Sequence, residues 1–403
     1  MRVAYFTDTF LPRIDGVTFT VFEHAKLLSL KGNKVRIYAP FYPKRNKIEN
    51  LDGIIIERHP SIPFPAYNGT RISFPNTFRM YKSIKKFDPD LIHFHTPGPI
   101  GLMGIILAKI LKKPLVGTYH TLFSETLVYV SPVEFFKQFN IPTLWIKNFK
   151  VNMGTDFAKK ITWQTVNKIH NQCDLVLAPS PPIRDLLIKQ GFKKKIEILS
   201  SGINTRIFSP GLKNTEEFTI LHVGRIGYEK NIDQVIHSFK LVLKELSSAK
   251  LIIAGDGPAL KDLRELSQKL EINKNIEFTG FVNRKNLPEL YRKASVFVTA
   301  STMETLGLVI LEAMSSGLPI VAVDKYATPW LVKQNQNGFL TKPLDKKGLS
   351  KYLIQILKDK KLAKRLGEKS RMLAGVHDTK KIAVKLTQIY NKAILEYKKE
   401  NIQ

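Results

Sequence analysis

The stretch SVFVTASTMETLGLVILEAMSSGLPIVAV, residues 295–323, decides the fold. It begins with the β-branched run SVFVTA and ends with a second one, LPIVAV. Between them, LGLVILEAMSS has the pattern of a short helix, which Gly317 and Pro319 bring to an end. A strand, a helix and a second strand in succession form a βαβ unit. The stretch therefore predicts two parallel strands in one sheet.

The same alternation of strand-like runs and helical patterns extends along the chain in both directions. The other strand-like runs are RVAYF, KVRIYAP, GIIIER, DLIHFH, PLVGTYH, DLVLAPS, FTILHVG, KLIIAG and NIEFTG. The pattern weakens between about 200 and 216, where turn residues predominate, and restarts with a new strand. We therefore predict an α/β protein with two Rossmann-like, doubly wound parallel-sheet domains, over residues 1–205 and 206–376.

The segment 377–403 is predicted to form one long helix. Its apolar positions are Ile382, Val384, Leu386, Ile389, Ala393 and Tyr397.

Composition limits the classes of function. The 403 residues include 43% hydrophobic ones, which excludes a disordered chain, and the formal net charge of +29 suits nucleic acid, anionic membranes or phosphorylated small molecules. Cys173 is the only cysteine, which excludes intramolecular disulfides and fits a reducing cytosol. The longest apolar run stops at Lys109 and is too short to span a bilayer, so we expect any membrane contact to be peripheral.

Two acidic residues stand out in the opening stretch. Ligands of open parallel sheets bind beyond the carboxyl ends of the strands, and Glu304 lies in such a loop, with Glu312 eight residues later in the helix. That spacing separates them by roughly 12 Å along the axis and about 80° around it. A nucleotide sugar matches this arrangement. The hydroxyl groups at its two ends can donate hydrogen bonds to the two acids, and its diphosphate can bind at the helix N-terminus between them. Alternatively, Glu304 complements the helix dipole and Glu312 is an ion-paired helix residue.

Other loops offer groups for the same ligand. In VGRIGYEKNI, residues 223–232, Arg225 and Lys230 could both bind a diphosphate, or could be solvated surface charges. Gly16 opens the first helix and would allow close approach of a phosphate or hexose to the backbone, or could be a simple turn glycine. The chain has no GxxxxGK[ST] loop, and AGDGPAL lacks the third glycine of a dinucleotide site, which argues against ATPases and dehydrogenases.

Histidines follow two strands of the first domain. His120, in VGTYHTLF, is placed to contact a sugar, although a structural histidine would look the same. His93 and His95 alternate along one strand, which allows a metal pair, but no third ligand is evident.

The segment 76–87, NTFRMYKSIKKF, has the composition of an interfacial helix. Its candidate membrane-binding residues are Phe78, Arg79, Lys82, Lys85 and Lys86. An ordinary amphipathic helix that covers its own sheet is the alternative. The segment 127–165, rich in aromatic residues and lysine, could cover an acceptor lipid or pack internally.

Together these motifs resemble family 4 of the retaining glycosyltransferases, which have the GT-B fold of two Rossmann-like domains facing across a cleft. The resemblance is carried by ETLGLVILE, with two glutamates separated by seven residues, followed by AMSSGLPIV, and by VGRIGYEKN and GDGP in the same order. HTPGPIGLMG and TYHT look most like the members that glycosylate diacylglycerol. The last helix of such proteins returns to the first domain.

The resemblance implies a role for each candidate residue. Glu304 would hold the donor hexose, Glu312 the ribose, and Arg225 and Lys230 the diphosphate, while His120 would lie near the anomeric carbon. His120 and Glu304 would thus be the catalytic residues. The remaining donor-binding candidates are Gly16, Val282, Leu306, Gly307 and Leu308.

The resemblance also implies a reaction. We expect transfer of a hexose, glucose from UDP-glucose, to 1,2-diacylglycerol with an α linkage, by a protein bound peripherally to the cytoplasmic face of an anionic membrane. No metal or other cofactor is expected, because members of this family as a rule need none. No protein base is expected either, since the leaving phosphate itself would take the acceptor proton. Phosphatidylinositol or a polysaccharide is the alternative acceptor. A nucleic-acid-binding protein is a rival class, but basic residues occur in both halves and no reader motif is present, so we expect no nucleic-acid partner.

Overall fold

A computed structural model of the chain describes residues 1–64, 70–122, 151–211 and 218–401, without the side chains of 151–158. The chain divides into two compact units. Unit 1 comprises Met1–Ser201 and Lys380–Gln403, and unit 2 comprises Gly202–Thr379.

Unit 1 is built on an eight-stranded sheet in the order β10-β9-β8-β7-β1-β2-β4-β3, in which only the pair β3–β4 is antiparallel. Its strands are β1 (Arg2–Phe6), β2 (Lys34–Pro40), β3 (Ile48–Leu51), β4 (Ile54–His59), β7 (Leu91–Phe94), β8 (Leu115–Thr118), β9 (Leu175–Ala178) and β10 (Ile196–Ile198). A separate antiparallel hairpin consists of β5 (Ser61–Pro63) and β6 (Arg71–Ser73). The helices described in residues 1–201 are α1 (Gly16–Leu30), α2 (Thr77–Phe87), α3 (Pro99–Ile110), α4 (Val151–His170) and α5 (Pro181–Lys189).

Unit 2 has a six-stranded, wholly parallel sheet in the order β13-β12-β11-β14-β15-β16. Its strands are β11 (Thr219–Val223), β12 (Lys250–Ala254), β13 (Ile276–Gly280), β14 (Val296–Thr299), β15 (Ile320–Val323) and β16 (Gly338–Thr341). Its helices are α6 (Ile232–Glu245), α7 (Leu260–Lys269), α8 (Leu287–Lys293), α9 (Leu308–Ser315), α10 (Thr328–Leu331), α11 (Lys346–Lys358) and α12 (Lys360–Ala374). The opening stretch of sequence forms β14, α9 and β15, as predicted.

The last helix, α13 (Thr379–Asn401), completes the core of unit 1. Its buried residues are Ile382, Ala383, Leu386, Ile389, Tyr390 and Ala393. All of these except Ala383 belong to one core cluster with β1 residues such as Val3 and Tyr5. The sequence analysis placed Val384 on the apolar face, and this was wrong, because a residue two positions from Ile382 lies about 200° around the helix and is exposed. It also overlooked Tyr390, which is fully buried.

The boundary between the units lies at Ser201 and Gly202, a few residues before the expected one. Ile203 belongs to unit 2 because its N–H donates to the carbonyl of His377 at 2.8 Å, and its own carbonyl accepts from Thr379 at 3.0 Å. Among the described residues, none of the helices is both long enough and apolar enough to cross a bilayer.

Candidate functional site

An ion pair joins two loops at the carboxyl edge of the unit 2 sheet. Lys230 follows β11, Glu304 follows β14, and these strands are neighbours, so their loops meet. Lys230 Nζ lies 2.6 Å from Glu304 Oε1. Asn231 Nδ2 fixes the two loops together by donating to the Ala300 carbonyl at 3.3 Å and to Thr302 Oγ1 at 3.2 Å. The sheet thus brings together two residues that are 74 positions apart in the sequence.

Glu304 is ionised in this arrangement. Burial opposes ionisation, because the side chain is only 12% exposed, but the charge and hydrogen bond of Lys230, with a further bond from Ser301, hold the pKa of Glu304 below its usual value. An ionised carboxylate has about four acceptor positions, and Lys230 and Ser301 use two of them. Glu304 can therefore accept additional hydroxyl hydrogen bonds.

A histidine that the sequence analysis missed adjoins this pair. His222 lies on β11 and is buried, and its Nδ1 donates to the Val298 carbonyl at 3.0 Å. Burial is the main reason that the pKa of His222 is lowered to about 4; the hydrogen bond to Val298 opposes this shift, and the charges of Lys230 and Glu304 act in opposite directions. The ring is therefore neutral at pH 7. One signal could have revealed it, since His222 is the polar residue inside the apolar strand TILHV.

Arg225 is paired within its own loop. Its guanidinium contacts the carboxylate of Glu229, which is buried, while the Arg225 side chain is partly exposed. The sequence analysis did not identify Glu229 as this partner, although the spacing of four residues was visible. Arg225 and Lys230 thus lie in one short loop, each with its own carboxylate partner.

The loop after Glu304 leads into α9 through a glycine with positive φ. Gly307 has φ 82° and ψ 55° and caps α9 without a side-chain hydrogen bond. Its carbonyl accepts from Ile310 and Leu311, each at 3.0 Å. Leu308, the first helical residue, is partly exposed, whereas Leu306 is buried in the core. Val282 is half-buried against the same core.

Glu312 has partners different from those of Glu304. Its side chain is 1% exposed, Oε1 lies 2.5 Å from Nη1 of Arg284, and Oε2 accepts from the Tyr291 hydroxyl at 2.8 Å. Glu312 is thus an ion-paired helix residue in this structure. This was the alternative interpretation in the sequence analysis. The structure does not bring Glu304 and Glu312 to a common partner. Arg284 and Tyr291 were not identified from the sequence.

In unit 1, Gly16 begins α1 at an open position. Asp15 caps the helix, since its Oδ1 accepts from the Thr18 N–H at 2.8 Å, and Arg13 Nε holds the other oxygen at 2.7 Å. A side chain added at Gly16 would meet no heavy atom within 4 Å. The backbone at Gly16 is therefore accessible to a ligand.

His120 lies beyond the carboxyl end of β8 and next to His95. Its Nε2 is 3.1 Å from His95 Nδ1, and the two rings are stacked with centroids 5.3 Å apart. Burial, together with the nearby His24 and His170, lowers the pKa of His120 to about 3. His120 is therefore a neutral imidazole at pH 7.

The predicted membrane helix α2 is fixed on one side and exposed on the other. Met80 and Ile84 form its buried face, whereas Phe78 is 66% exposed and Lys82 Nζ lies 4.2 Å from the centre of the Phe78 ring. Arg79 Nε is 3.5 Å from Oε1 of the buried Glu57, so part of its charge is compensated within the protein.

Exposed apolar residues continue beyond α2. Phe6 and Tyr38 stack on one another on one side of the sheet. Ser83 of α2 hydrogen-bonds to Tyr38, and Gly104 of α3 packs against the side chain of Phe6. The helices α2 and α3 therefore cover the same side of the sheet. The strand β6 lies beside α3. We define the basic apolar surface as a set of exposed residues in α2, α3, the β5–β6 hairpin and the positions that follow β6 and α3. They are Ile62, Ile72, Phe74, Phe78, Leu102, Ile106 and Ile110, with Lys82, Lys85, Lys86, Lys109 and Lys112.

Within the described ranges, no group of three or more His, Cys, Asp or Glu side chains has a geometry that could hold a metal ion. His93 uses both ring nitrogens on other residues, with Nδ1 2.6 Å from the Tyr390 hydroxyl and Nε2 2.7 Å from Thr118 Oγ1. Most of the segment 127–165 lies outside the described residues.

Two family models match the chain in succession. The model described as Glycosyltransferase Family 4 matches residues 14–207, and the one described as Glycosyl transferases group 1 matches residues 204–372. Among solved structures of similar fold, sucrose-phosphate synthase from Thermosynechococcus elongatus superposes with a TM-score of 0.74 at 19% identity, covering 98% of this chain and 99% of that one. Anabaena HepE in complex with UDP-glucose gives 0.74 at 17% identity, covering 97% and 100%. The fold is therefore GT-B.

Similar proteins include several named transferases. The alpha-monoglucosyldiacylglycerol synthase of Acholeplasma laidlawii is 29% identical, over 88% of each chain. The GDP-mannose-dependent alpha-mannosyltransferase of Mycobacterium tuberculosis is 28% identical, over 84% of this chain and 83% of that protein. The alpha-monoglucosyldiacylglycerol synthase of Streptococcus pneumoniae is 32% identical, over 82% of this chain and 72% of that protein. Given this identity and coverage, the chain belongs to glycosyltransferase family 4.

Proposed function

We propose that this protein transfers glucose from UDP-glucose to the free hydroxyl of 1,2-diacylglycerol, with retention, to form an α-glucosyl diacylglycerol. The observation that carries the proposal is the Lys230–Glu304 pair at the carboxyl edge of the unit 2 sheet, beside the start of α9. The names of the Streptococcus and Acholeplasma relatives support glucose and diacylglycerol.

The charges of unit 2 suit a sugar diphosphate. Lys230 has three N–H donors, of which one goes to Glu304 at 2.6 Å and one makes a long contact with Ser301 Oγ at 3.5 Å, so the third can bind a phosphate oxygen without breaking the pair. Arg225 adds a second positive group from the same loop. As the glycosidic bond breaks, negative charge grows on the diphosphate, and these cations stabilise it. Glu304 accepts hydrogen bonds from the hexose hydroxyls and keeps Lys230 in position.

Glu312 has a different part in this proposal. For its carboxylate to accept a ribose hydroxyl, Arg284 must move away or share its oxygen, since the ion pair covers Oε1. The Arg284 side chain is partly exposed, so it can turn toward solvent. We therefore expect Glu312 to contribute less to donor binding than Glu304 does.

The acceptor end of the proposal rests on the basic apolar surface. Leu102, Ile106 and Ile110 follow one another at four-residue spacing, which aligns them along one side of α3. Exposed apolar side chains that are interspersed with lysines match the interface of an anionic bilayer, where each basic residue contributes about 1 kcal/mol. We propose that this surface binds the cytoplasmic face of the membrane, where diacylglycerol resides.

The direct test is a transfer assay. The protein is incubated with UDP-glucose and 1,2-diacylglycerol in mixed micelles containing anionic lipid, and the product is analysed for an α-linked glucosyl lipid. Parallel arms replace the donor with GDP-mannose or UDP-N-acetylglucosamine, and the acceptor with phosphatidylinositol or a polysaccharide. Formation of product only with another donor or acceptor would replace the proposal with that specificity, and the mannosyl arm is required because of the 28% identical mannosyltransferase.

Two further assays test the other parts of the proposal. Transfer should continue in EDTA, because Lys230 and Arg225 supply the positive charge that a metal would provide; loss of activity restored by Mg²⁺ would contradict this. Sedimentation with anionic vesicles should deplete the protein from solution, and added salt should release it. Binding to neutral vesicles alone, or a gel shift with nucleic acid that persists at physiological salt, would contradict the membrane proposal.

A further inference from the structure

The sequence analysis treated His93 and His95 as a weak metal pair, but the structure gives them a different arrangement. In unit 1 the ring centroids of His93 and His95 lie 3.9 Å apart. His93 is fixed from both sides, by the Tyr390 hydroxyl of α13 and by Thr118 Oγ1, and the Tyr390 hydroxyl also lies 2.9 Å from that of Tyr5. The ring of His93 is therefore a rigid support for His95.

His95 has little freedom to move. It is buried, and its backbone N–H donates to the Phe6 carbonyl at 2.8 Å. The Tyr5 ring packs edge-on against it, with centroids 4.6 Å apart. Its Nδ1 hydrogen-bonds to His120 Nε2, and within the described residues its Nε2 has no partner. A fixed ring thus makes a single directed contact with His120.

That contact couples the protonation of the two rings. A neutral imidazole has one N–H donor and one acceptor nitrogen, so one histidine must donate and the other must accept. If His120 donated, the proton of His95 would lie on Nε2, as a buried N–H without an acceptor. Orphaned buried N–H groups are rarer in proteins than under-satisfied acceptors. The pair therefore favours donation from His95 Nδ1, which leaves the proton of His120 on its Nδ1.

We propose that His95 is a positioning residue, which fixes the ring orientation of His120 and keeps it in the Nδ1–H tautomer. With Nε2 as the acceptor, Nδ1 of His120 is a hydrogen-bond donor and not a base. The contact with the donor sugar rests on the proposed function, whereas the tautomer and the orientation are properties of unit 1 alone.

A pair of substitutions separates positioning from simple packing. His95→Asn keeps an N–H near the position of Nδ1 but leaves a cavity, whereas His95→Leu fills the space and removes the donor. We expect His95→Leu to lower kcat about tenfold with the KM for the sugar nucleotide within about twofold, because a misoriented group costs rate more than binding. His95→Asn should recover most of the rate. His237→Leu, on α6 of unit 2, is the control and should retain the wild-type rate. A structural role predicts the reverse order, with His95→Leu more active than His95→Asn, and that result would overturn the proposal.

Nuclear magnetic resonance tests the tautomer without any substrate. Two-bond ¹H–¹⁵N correlations in the full-length protein, assigned with His120→Gln, should show His120 as the Nδ1–H form. His95→Leu should shift His120 toward a mixture of tautomers, and His95→Asn should not. A wild-type His120 with its proton on Nε2, or one unchanged in His95→Leu, would overturn the proposal. If no sugar nucleotide is turned over, the proposed function fails, and this measurement still decides the role of His95.

Discussion

Both units present polar side chains at the carboxyl edge of a parallel sheet, but they treat charge in opposite ways. In unit 1, burial lowers the pKa values of His93, His95 and His120, so the edge carries neutral imidazoles. In unit 2, the pair of Lys230 and Glu304 remains charged although it is largely buried. One fold therefore supports neutral hydrogen bonding in one unit and concentrated charge in the other, and the choice of residues after the strands makes the difference.

The first prediction uses acid to separate the units. Burial lowers the pKa of His24 and His170 to about 4 and that of His120 to about 3, against 6.5 in an unfolded chain. The unfolded state then binds more protons below pH 6.5, so the free energy of unfolding falls as the pH falls, by about 3 kcal/mol per histidine at pH 4. The stabilisation from Glu304 is lost only below its unfolded pKa of about 4.5.

Between pH 6.5 and about 4.5, unit 1 should therefore lose more stability than unit 2, because His24, His120 and His170 lie in unit 1, whereas in unit 2 His222 has a comparable shift. Hydrogen exchange measured by mass spectrometry at pH 7, 6 and 5, corrected for intrinsic rates, would report on β1 and β7 separately from β11. Equal loss of protection in the two units would contradict this prediction.

The second prediction removes the charge of unit 2. Glu304→Gln preserves shape but leaves Lys230 without its carboxylate, and we expect turnover of the sugar nucleotide to fall about a hundredfold. Steady-state release of the nucleotide measures it. The matched control is Glu265→Gln, whose partner Lys261 is 3.9 Å away on an exposed surface, and this variant should be active. Wild-type turnover in Glu304→Gln would remove this residue from the site.

The third prediction compares two buried tyrosines. The Tyr291 hydroxyl donates to Glu312, the ion-pair partner of Arg284, whereas that of Tyr390 bonds to the neutral groups of His93 and Tyr5. Hydrogen bonds to charged groups are stronger, so Tyr291→Phe should cost about 2 kcal/mol of local stability and Tyr390→Phe about 1 kcal/mol. Native-state hydrogen exchange in α8 and α13 would measure each loss. The reverse order would show that the neutral cluster stabilises unit 1 more than the ion pair stabilises unit 2.

The fourth prediction concerns the two glycines at helix starts. Gly307 has φ 82°, and an added Cβ would lie 3.0 Å from Ile310 Cδ1, so Gly307→Ala should destabilise unit 2 by about 1 kcal/mol. An added Cβ at Gly16 meets nothing, so Gly16→Ala should change stability by less than about 0.5 kcal/mol. Thermal unfolding would test both. If the backbone of Gly16 contacts the donor, Gly16→Ala should nevertheless raise the KM for the sugar nucleotide.

The fold could be predicted well from the sequence, because parallel strands that are buried on both faces appear as continuous β-branched runs. The strands it missed are short or lie at edges, such as IENL of β3, IEI of β10 and GFLT of β16. These three strands lie at sheet edges and contain polar residues or glycine, so they lack the continuous apolar run that identified interior strands of the same length, such as LVLA of β9. The antiparallel pairing of β3 with β4 depends on contacts that no local pattern records.

The candidate site was predictable in its residue types but not in its pairings. Loops after strands could be identified, so Glu304 and Lys230 were expected near one ligand. Glu304 and Lys230 bond to each other because β11 and β14 are neighbours in the sheet, and no local sequence pattern shows this order. For the same reason Arg284 and Tyr291 could not be assigned to Glu312, nor could Tyr390 be assigned to His93.

The position of α13 in unit 1 determines the order in which the chain can be completed during synthesis. Unit 2 is continuous in sequence, whereas the core of unit 1 needs Leu386 and Tyr390, which the ribosome adds only after all of unit 2 has been made. Until then, the first unit lacks these core residues and the Tyr390 hydroxyl that bonds to His93 Nδ1. The core of unit 1 is therefore completed by a long-range docking step, in which the C-terminal helix packs onto the N-terminal part of the chain.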